Sequence, residues 1–435
     1  MTFHLHHRGT KDTENDVKTE KTSVFSVSLW YNRMARDRMS RMNLERFAAS
    51  PSGRLVQATH GAVVYQAFVP HPLPPVLPLD ADLWRRLSEA DRALGELAGL
   101  GRTLPNPHLL INPLLRREAV LSSRIEGTVT GIAELYAYEA IQLALPGIGV
   151  ESRPPTDDVR EVFNYVRALE LGIDHIQAAD ISLWLILALH RQLMEGVRGG
   201  QAAPGEFRRI PNVIGRPGST LTNARFVPPP VIEMHAALAA LEGYLRAPAD
   251  ADYPPLVRLA LIHYQFEAIH PFEDGNGRTG RLLISLLPVH WKLLPQPLLH
   301  LSAFLDRYQE AYRDLLLAVS QDGAWYDWVM FFLQAVAEQA ADAVQRARQL
   351  QDLREDWRTI PNTTPLTLRL IDTLFIYPVV SAPSVRDQLA ISYPAAQKHI
   401  KKLVAAGILH PAPETAGVKT YVAQAILDVL LEDSP

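Results

Sequence analysis

The stretch "PPLVRLALIHYQFEAI", residues 254–269, runs with no linker into "HPFEDGNGRTGR", residues 270–281. The first recurs in apolar residues at helical spacing and has Pro at its start, so it reads as a buried helix. The second holds one His, two acids, one Asn, three Gly and two Arg in twelve residues, which breaks the apolar pattern of the first. Apolar periodicity resumes in "GRTGRLLISLLPVHWKLL". The chain must therefore build a helix, a tight polar loop and a second helix, with the loop between two core elements.

Around this unit the chain is read in four parts. Residues 1–41 are polar without periodicity and are expected to be disordered, with Met34, Met39 or Met42 as alternative starts. Residues 42–152 begin with an extended Pro-rich stretch and become helical. Leu83, Leu87, Ala90, Leu94 and Leu97 mark one helix, stopped by Gly99 or Gly101, and "NPLLRREAVLSSRIEG" marks the next, with Pro113 in its first turn and Gly127 ending it. Residues 153–350 are a succession of helices interrupted by "PGEFRRIPNVIGRPGSTLTNARFVPPP", whose "NVIG" (Asn212, Val213, Ile214, Gly215) suggests a β-hairpin or flap. Residues 361–435 order as three helices, a turn and a strand, which resembles a winged helix-turn-helix domain.

Composition narrows the chemistry. Of 435 residues 47% are hydrophobic and 21% charged, the net charge is −4 and there is no Cys. That excludes disulfides, thiolate metal sites and Cys nucleophiles, and fits a cytoplasmic protein. No apolar run reaches the ~18 residues of a membrane span, so no membrane partner is expected. A third helix in the C-terminal domain would present Gln397, Lys398, His399, Lys401 and Lys402 to DNA. Six Lys plus Arg there balance six Asp plus Glu, where a duplex binder is usually basic, so DNA binding and a docking or dimerisation role both stay open.

The loop itself has several formal readings. Gly275, Gly277 and Gly280 spell a dinucleotide fingerprint, but that motif follows a strand and here the lead-in is helical. A P-loop would need Lys followed by Ser or Thr. His263 and His270 are seven apart, yet His263 lies on an apolar helix and reads as a core histidine. What remains is an anion nest, with consecutive backbone N–H groups at a helix N-terminus and Arg278 and Arg281 one turn apart. Arg in a first turn opposes the helix dipole, so a bound anion explains it better than helix stability.

The stretch resembles the Fic family (filamentation induced by cAMP) of nucleotidyl transferases, whose HPFx(D/E)GNGRxxR signature it matches at every defined position. The resemblance, over roughly residues 42–350, implies an all-α Fic helical core with a short β-hairpin flap and transfer of AMP from ATP to a protein hydroxyl. By it His270 is the general base, Asp274 holds Mg²⁺, Gly275, Asn276 and Gly277 cradle the phosphates, and Arg278 and Arg281 hold the distal ones. Pro271 and Phe272 shape and anchor the loop. Gly277 stands where Doc-type kinases carry Lys, which disfavours a kinase, and phosphocholine transfer is a remote alternative. The "SSRIEG" stretch matches the family's inhibitory pattern, which implies that Ser122, Glu126 and Gly127 form a brake in which Glu126 occupies Arg281; in some members the same Glu also helps remove AMP. Expected partners are a target Tyr, Thr or Ser hydroxyl, with the "PNVIG" edge of the flap open to an extended target segment; self-modification and a homodimer both stay open. Tyr308 and Tyr312 are candidate adenine contacts. The competing class is a nucleotide-sensing transcriptional regulator.

Overall fold

The computed structural model describes residues 41–103, 108–144, 156–197, 203–361, 363–415 and 418–431. The expected disorder of residues 1–41 lies, Arg41 apart, outside them. The described part is mostly helical. It opens with α1 (Leu44–Ala48) and a hairpin of β1 (Gly53–His60) and β2 (Val63–Pro70), paired antiparallel from Gly53↔Pro70 to His60↔Val63. This hairpin was not expected from the Pro-rich reading. Its strands are joined by a two-residue turn at Gly61, which takes a left-handed φ of 58°. Phe68 carries it onto Phe47 and Phe226, with ring centroids 5.3 and 5.9 Å away.

Helices α2 (Ala81–Thr103), α3 (His108–Ile125) and α4 (Ile132–Ala144) follow. The five predicted core positions of α2 are all buried. The helix runs past both Gly99 and Gly101, so neither is the stop. At Gly101 a Cβ would come within 2.9 Å of Leu298 and 3.0 Å of Pro295, so close packing accounts for that glycine. Pro113 sits inside α3 rather than in its first turn, because the helix starts at His108.

Next come α5 (Asp157–Ile176), capped by the Thr156 hydroxyl on the Val159 N–H, and α6 (Leu183–Leu193), capped by Ser182. The flap segment then leads to α7 (Val231–Arg246). Instead of a hairpin it shows one antiparallel bridge, Ile214↔Phe226, since Pro, Gly and Asn on both sides prevent further pairing. At the centre lies α8 (Pro255–Ile269), in which every residue from Leu256 to Ile269 is buried. A helix buried all round belongs in a core, and here it positions the loop that follows. Beyond the loop are α9 (Asn276–His290), α10 (Ser302–Arg307), α11 (Gln309–Asp322) and the long α12 (Trp325–Arg358). The Trp328 indole N–H donates to Ala260 O at 2.9 Å, tying α12 to α8.

The C-terminal segment contains α13 (Pro365–Leu374), β3 (Val379–Ser381), α14 (Ala382–Leu389), α15 (Tyr393–Ala405), β4 (His410–Thr415), β5 (Val418–Val422) and α16 (Gln424–Leu431), with sheet order β3-β5-β4. It is not a loose appendage. β3 and α14 pack on α4, and α16 packs on α3 and α12. Arg117 of α3 and Arg346 of α12 share Asp342, and Arg346 also donates to Val429 O in α16. Among the described residues no helix is long and apolar enough to cross a membrane.

Candidate active site

α8 ends at His270, whose φ of 50° and ψ of 62° lie in the left-handed region. That region is strained for a residue with a Cβ and has to be held by its surroundings. Pro271 has no N–H to extend the ladder, and Phe272 is wholly buried among Phe207, Phe266 and His190. The loop is then stitched from inside. Asn276 Oδ1 accepts the Phe272 N–H at 2.9 Å and its Nδ2 donates to Phe272 O at 2.8 Å. Both amide atoms expected to cradle phosphate are thus turned to the backbone, and what Asn276 contributes here is the shape of the loop. Gly275, at φ 76°, reverses the chain into α9.

The His270 ring is oriented by one contact, Nδ1 to Glu267 O at 3.2 Å. A carbonyl only accepts, so Nδ1 carries the proton and Nε2 keeps its lone pair. Burial first, then the Arg208 charge, lower the His270 pKa to about 4, so the ring is neutral at physiological pH. Asp274 stands at the loop mouth with its side chain 54% exposed and Oδ1 accepting the Gly275 N–H at 2.6 Å.

Arg281 is 2% exposed and lies one α9 turn further in. Its Nη2 donates to Glu126 Oε1 at 2.6 Å and to Ser122 O at 2.9 Å, and its Nε to Ser122 Oγ at 2.8 Å. Burial opposes the Glu126 charge, but Arg281 overrules it and holds the carboxyl below its ordinary pKa. The same carboxylate lies against Gly277, where a Cβ would meet Glu126 Oε1 at 2.2 Å. Gly127, at φ 97°, turns the chain off α3 just after Glu126. Arg278 has different company, with Glu161 at 3.1 Å and Asp274 at 3.7 Å, so the two guanidinia are not held by one partner.

In the flap, Asn212 Nδ2 donates to Phe272 O and Glu273 O at 3.1 and 3.2 Å, tying it to the loop. Ile214 uses both main-chain groups on Phe226. Strand alternation then turns Val213 and Gly215 to the other edge, although the Val213 N–H is already taken by Asn212 Oδ1 at 2.7 Å. Tyr312 is corrected from adenine contact to core: it is buried, and its hydroxyl bonds His263 Nε2 at 2.8 Å. Tyr308 sits half-buried at the break between α10 and α11. His263 is the core histidine it was read as.

Sequence reasoning missed His190, Arg208, Glu118 and Glu267. His190 accepts the Gly205 N–H on Nδ1 and therefore donates from Nε2 to Asp274 O, both at 3.0 Å, while stacking on Phe272 at 3.7 Å. Glu118 accepts from the Ser302 hydroxyl at 2.6 Å, and Glu267 Oε1 is buried with no hydrogen-bond partner. Burial raises both carboxyls to about 7. Burial also lowers His190 and His270 to about 4 and His263 and His300 to about 3.

These shifts predict how stability varies with acid. The histidines stabilise the fold above their unfolded pKa of ~6.5, and that contribution is lost as pH falls toward their folded values. Glu118 and Glu267 act oppositely, stabilising below ~4.3 and losing that contribution as pH rises through 7. Near pH 5.5 the protons these four histidines take up on unfolding outnumber those that Glu118 and Glu267 release, so stability should fall on acidification. The urea midpoint should drop clearly between pH 7 and 5.5; an unchanged midpoint would refute the balance.

Residues 84–174 match the Fic/DOC family N-terminal model and residues 180–287 the Fic/DOC family model. The two matches together fall within residues 84–287, the part of the chain that carries the loop 270–281. Two similar curated proteins are named protein adenylyltransferase Fic. One is from Culex quinquefasciatus, 27% identical over 163 residues, and the other from Drosophila virilis, 29% identical over 168. Each match spans 38% of this chain and 30% of the relative's length. A Fic family protein from Desulfovibrio desulfuricans superposes over 80% of this chain and 98% of its own at 21% identity, with a TM-score of 0.47 that adds no weight.

Proposed function

We propose that this protein transfers AMP from ATP to a hydroxyl side chain of a protein. One observation carries the reading: a neutral His270 with its Nε2 lone pair unclaimed stands at the mouth of a glycine-rich loop, and the helix leaving that loop holds a buried Arg281 against a carboxylate. A base beside an anion receptor suits phosphoryl chemistry. The target oxygen attacks the α-phosphorus, the bond to the diphosphate breaks, and the hydroxyl proton passes to His270 Nε2. The backbone of Gly275 and Gly277 at the α9 N-terminus, with Arg278 and Arg281, would bind the phosphates.

The site fits one divalent cation: Asp274 offers a largely exposed carboxylate with only one oxygen engaged by Gly275, which suits Mg²⁺ completed by phosphates. Bound Mg²⁺ would neutralise phosphate charge. Asp274→Asn is expected to weaken metal use, with AMP transfer falling and partly recovering at raised Mg²⁺; an unchanged metal titration would count against Asp274.

Glu126, held by Arg281 and backed by Ser122, would be the brake, and in modified target it would also direct a water to remove AMP. The alternate flap edge at Val213 and Gly215 would meet an extended target segment bearing Tyr, Thr or Ser. The deciding experiment offers the purified protein ATP labelled on the α- or the γ-phosphate, with lysate proteins present. Label from the α position alone, on a target or on the protein itself, supports AMP transfer, and label from the γ position alone indicates a kinase.

A second reading makes the C-terminal segment a winged helix that binds DNA. The helix order and the β3-β5-β4 sheet favour it, and α15 exposes Gln397, Lys398 and Lys401. His399 is less available than expected, since its Nδ1 pairs with the Thr367 hydroxyl at 3.0 Å. A mobility-shift assay with the full chain separates this reading from a purely enzymatic one.

A further inference from the structure

Arg208 is 2% exposed, and among the described residues no carboxylate pairs with it. A buried charge without a counter-ion demands a reason. Each of its three guanidinium nitrogens donates to a main-chain carbonyl: Nε to His270 O at 2.9 Å, Nη1 to Ile210 O at 3.1 Å and Nη2 to Pro229 O at 2.6 Å. Its own N–H donates to Pro271 O at 2.9 Å. Ile210 stands just before the flap and Pro229 just after it. The guanidinium therefore joins both stems of the flap to the carbonyl of the residue that carries the imidazole.

The conformation it holds is an unusual one. His270 is left-handed, and its carbonyl belongs to a helix end that has no further intrahelical donor. With His270 O and Pro271 O both fixed from Arg208, the peptides on either side of Pro271 cannot rotate, and the ring direction follows. We infer that Arg208 is a positioning residue for His270, setting the backbone from which the base projects and carrying the flap with it. The inference rests on His270 being the base. Arg208 touches neither Arg281 nor the N–H groups at the start of α9, so nucleotide binding should not depend on it.

A residue that only supported the fold would lower every property together, whereas this one should lower one. The experiment uses the full chain in a Glu126→Gly background, with Arg208→Lys, Arg208→Met and His270→Ala compared. Arg208→Lys keeps a charge of similar reach but lacks the fork that meets three carbonyls. Its kcat for AMP transfer should fall about ten- to hundred-fold, the scale of a base displaced by an ångström, with ATP affinity unchanged. Arg208→Met also removes the charge. The groups acting on His270 are Arg208, which disfavours its protonation, and Glu126 and Asp274, which favour it. With Glu126 absent throughout, only Arg208→Met should move the acid limb of the kcat/KM profile to higher pH.

If His270→Ala retains transfer, the base assignment itself fails. If His270→Ala is dead while Arg208→Lys keeps full kcat, or loses ATP affinity and melting temperature in parallel with kcat, the positioning role is overturned. Should Arg208→Met fail to fold, the Arg208→Lys split between kcat and ATP affinity still decides it.

Discussion

Glu126→Gly is expected to raise AMP transfer about ten- to hundred-fold. The carboxylate contributes one charge-assisted contact to Arg281, worth ~1.5–3 kcal/mol, and a decade in rate corresponds to ~1.4 kcal/mol. Two features of the contact make release efficient. Glu126 is 37% exposed while Arg281 is 2% exposed, so the carboxylate forms the open side of the pair and its loss uncovers the guanidinium from outside. Arg281 also keeps its hydrogen bonds to Ser122 O and Oγ, so the freed guanidinium stays aimed and needs no reordering to receive a phosphate. Gly277 loses its closest neighbour in the same step, opening the start of α9. Wild type and variant should be compared at equal folded fraction with α-labelled ATP, and equal rates would remove the brake. Pre-modified target, incubated with Mg²⁺ and no ATP, tests the hydrolytic role separately: loss of AMP with wild type alone would assign it to Glu126, and loss with neither would leave the brake only.

How much of this could be read from the chain depended on how local the cause was. α2, α5, α6 and α8 follow from spacing and caps within a few residues, such as Thr156 on Val159 or Pro255 at the start of α8. The loop 270–281 and the "SSRIEG" stretch that meets it were legible because each is a contiguous pattern. Three of the four missed residues act across long separations. Arg208 meets His270 across 62 residues, His190 meets Asp274 across 84, and Glu118 meets Ser302 across 184. Nothing near Arg208 in "PGEFRRIP" distinguishes it from Arg209, which is exposed and paired with Glu206. Gly101 misled for a related reason, because a glycine that admits Leu298 and Pro295 looks in sequence like one that ends a helix. The β1–β2 hairpin carried a signal, with runs containing Val and either Thr or Tyr on both sides of Gly61, but the prolines after Val69 outweigh it in sequence.

His270→Ala is expected to lower AMP transfer by at least ~10²-fold, toward the ~10⁴ that positioned proton transfer can contribute. The fold should tolerate the change. Ala and His meet the same backbone restriction in the left-handed region, the Arg208 contact is to the carbonyl and survives, and only the Nδ1 contact to Glu267 O is lost. ATP affinity should hold, because no donor of the α9 N-terminus or of Arg281 is removed. The nearest alternative base is Glu267, one turn earlier on α8, which burial raises to about 7 and whose Oε1 has no hydrogen-bond partner. It is badly aimed for the task. That oxygen lies 2.6 Å from where a Cβ on Gly280 would stand, within the α8–α9 interface and not at the loop mouth. The two bases differ in their pH signature, since the folded protein ionises Glu267 only as pH rises through about 7, whereas His270 is already neutral above about 4. A folded His270→Ala protein should therefore be nearly inactive from pH 6 to 8. Substantial transfer that climbs through pH 7 in that variant would move the base to Glu267, and wild-type transfer across the whole range would mean that neither residue takes the proton.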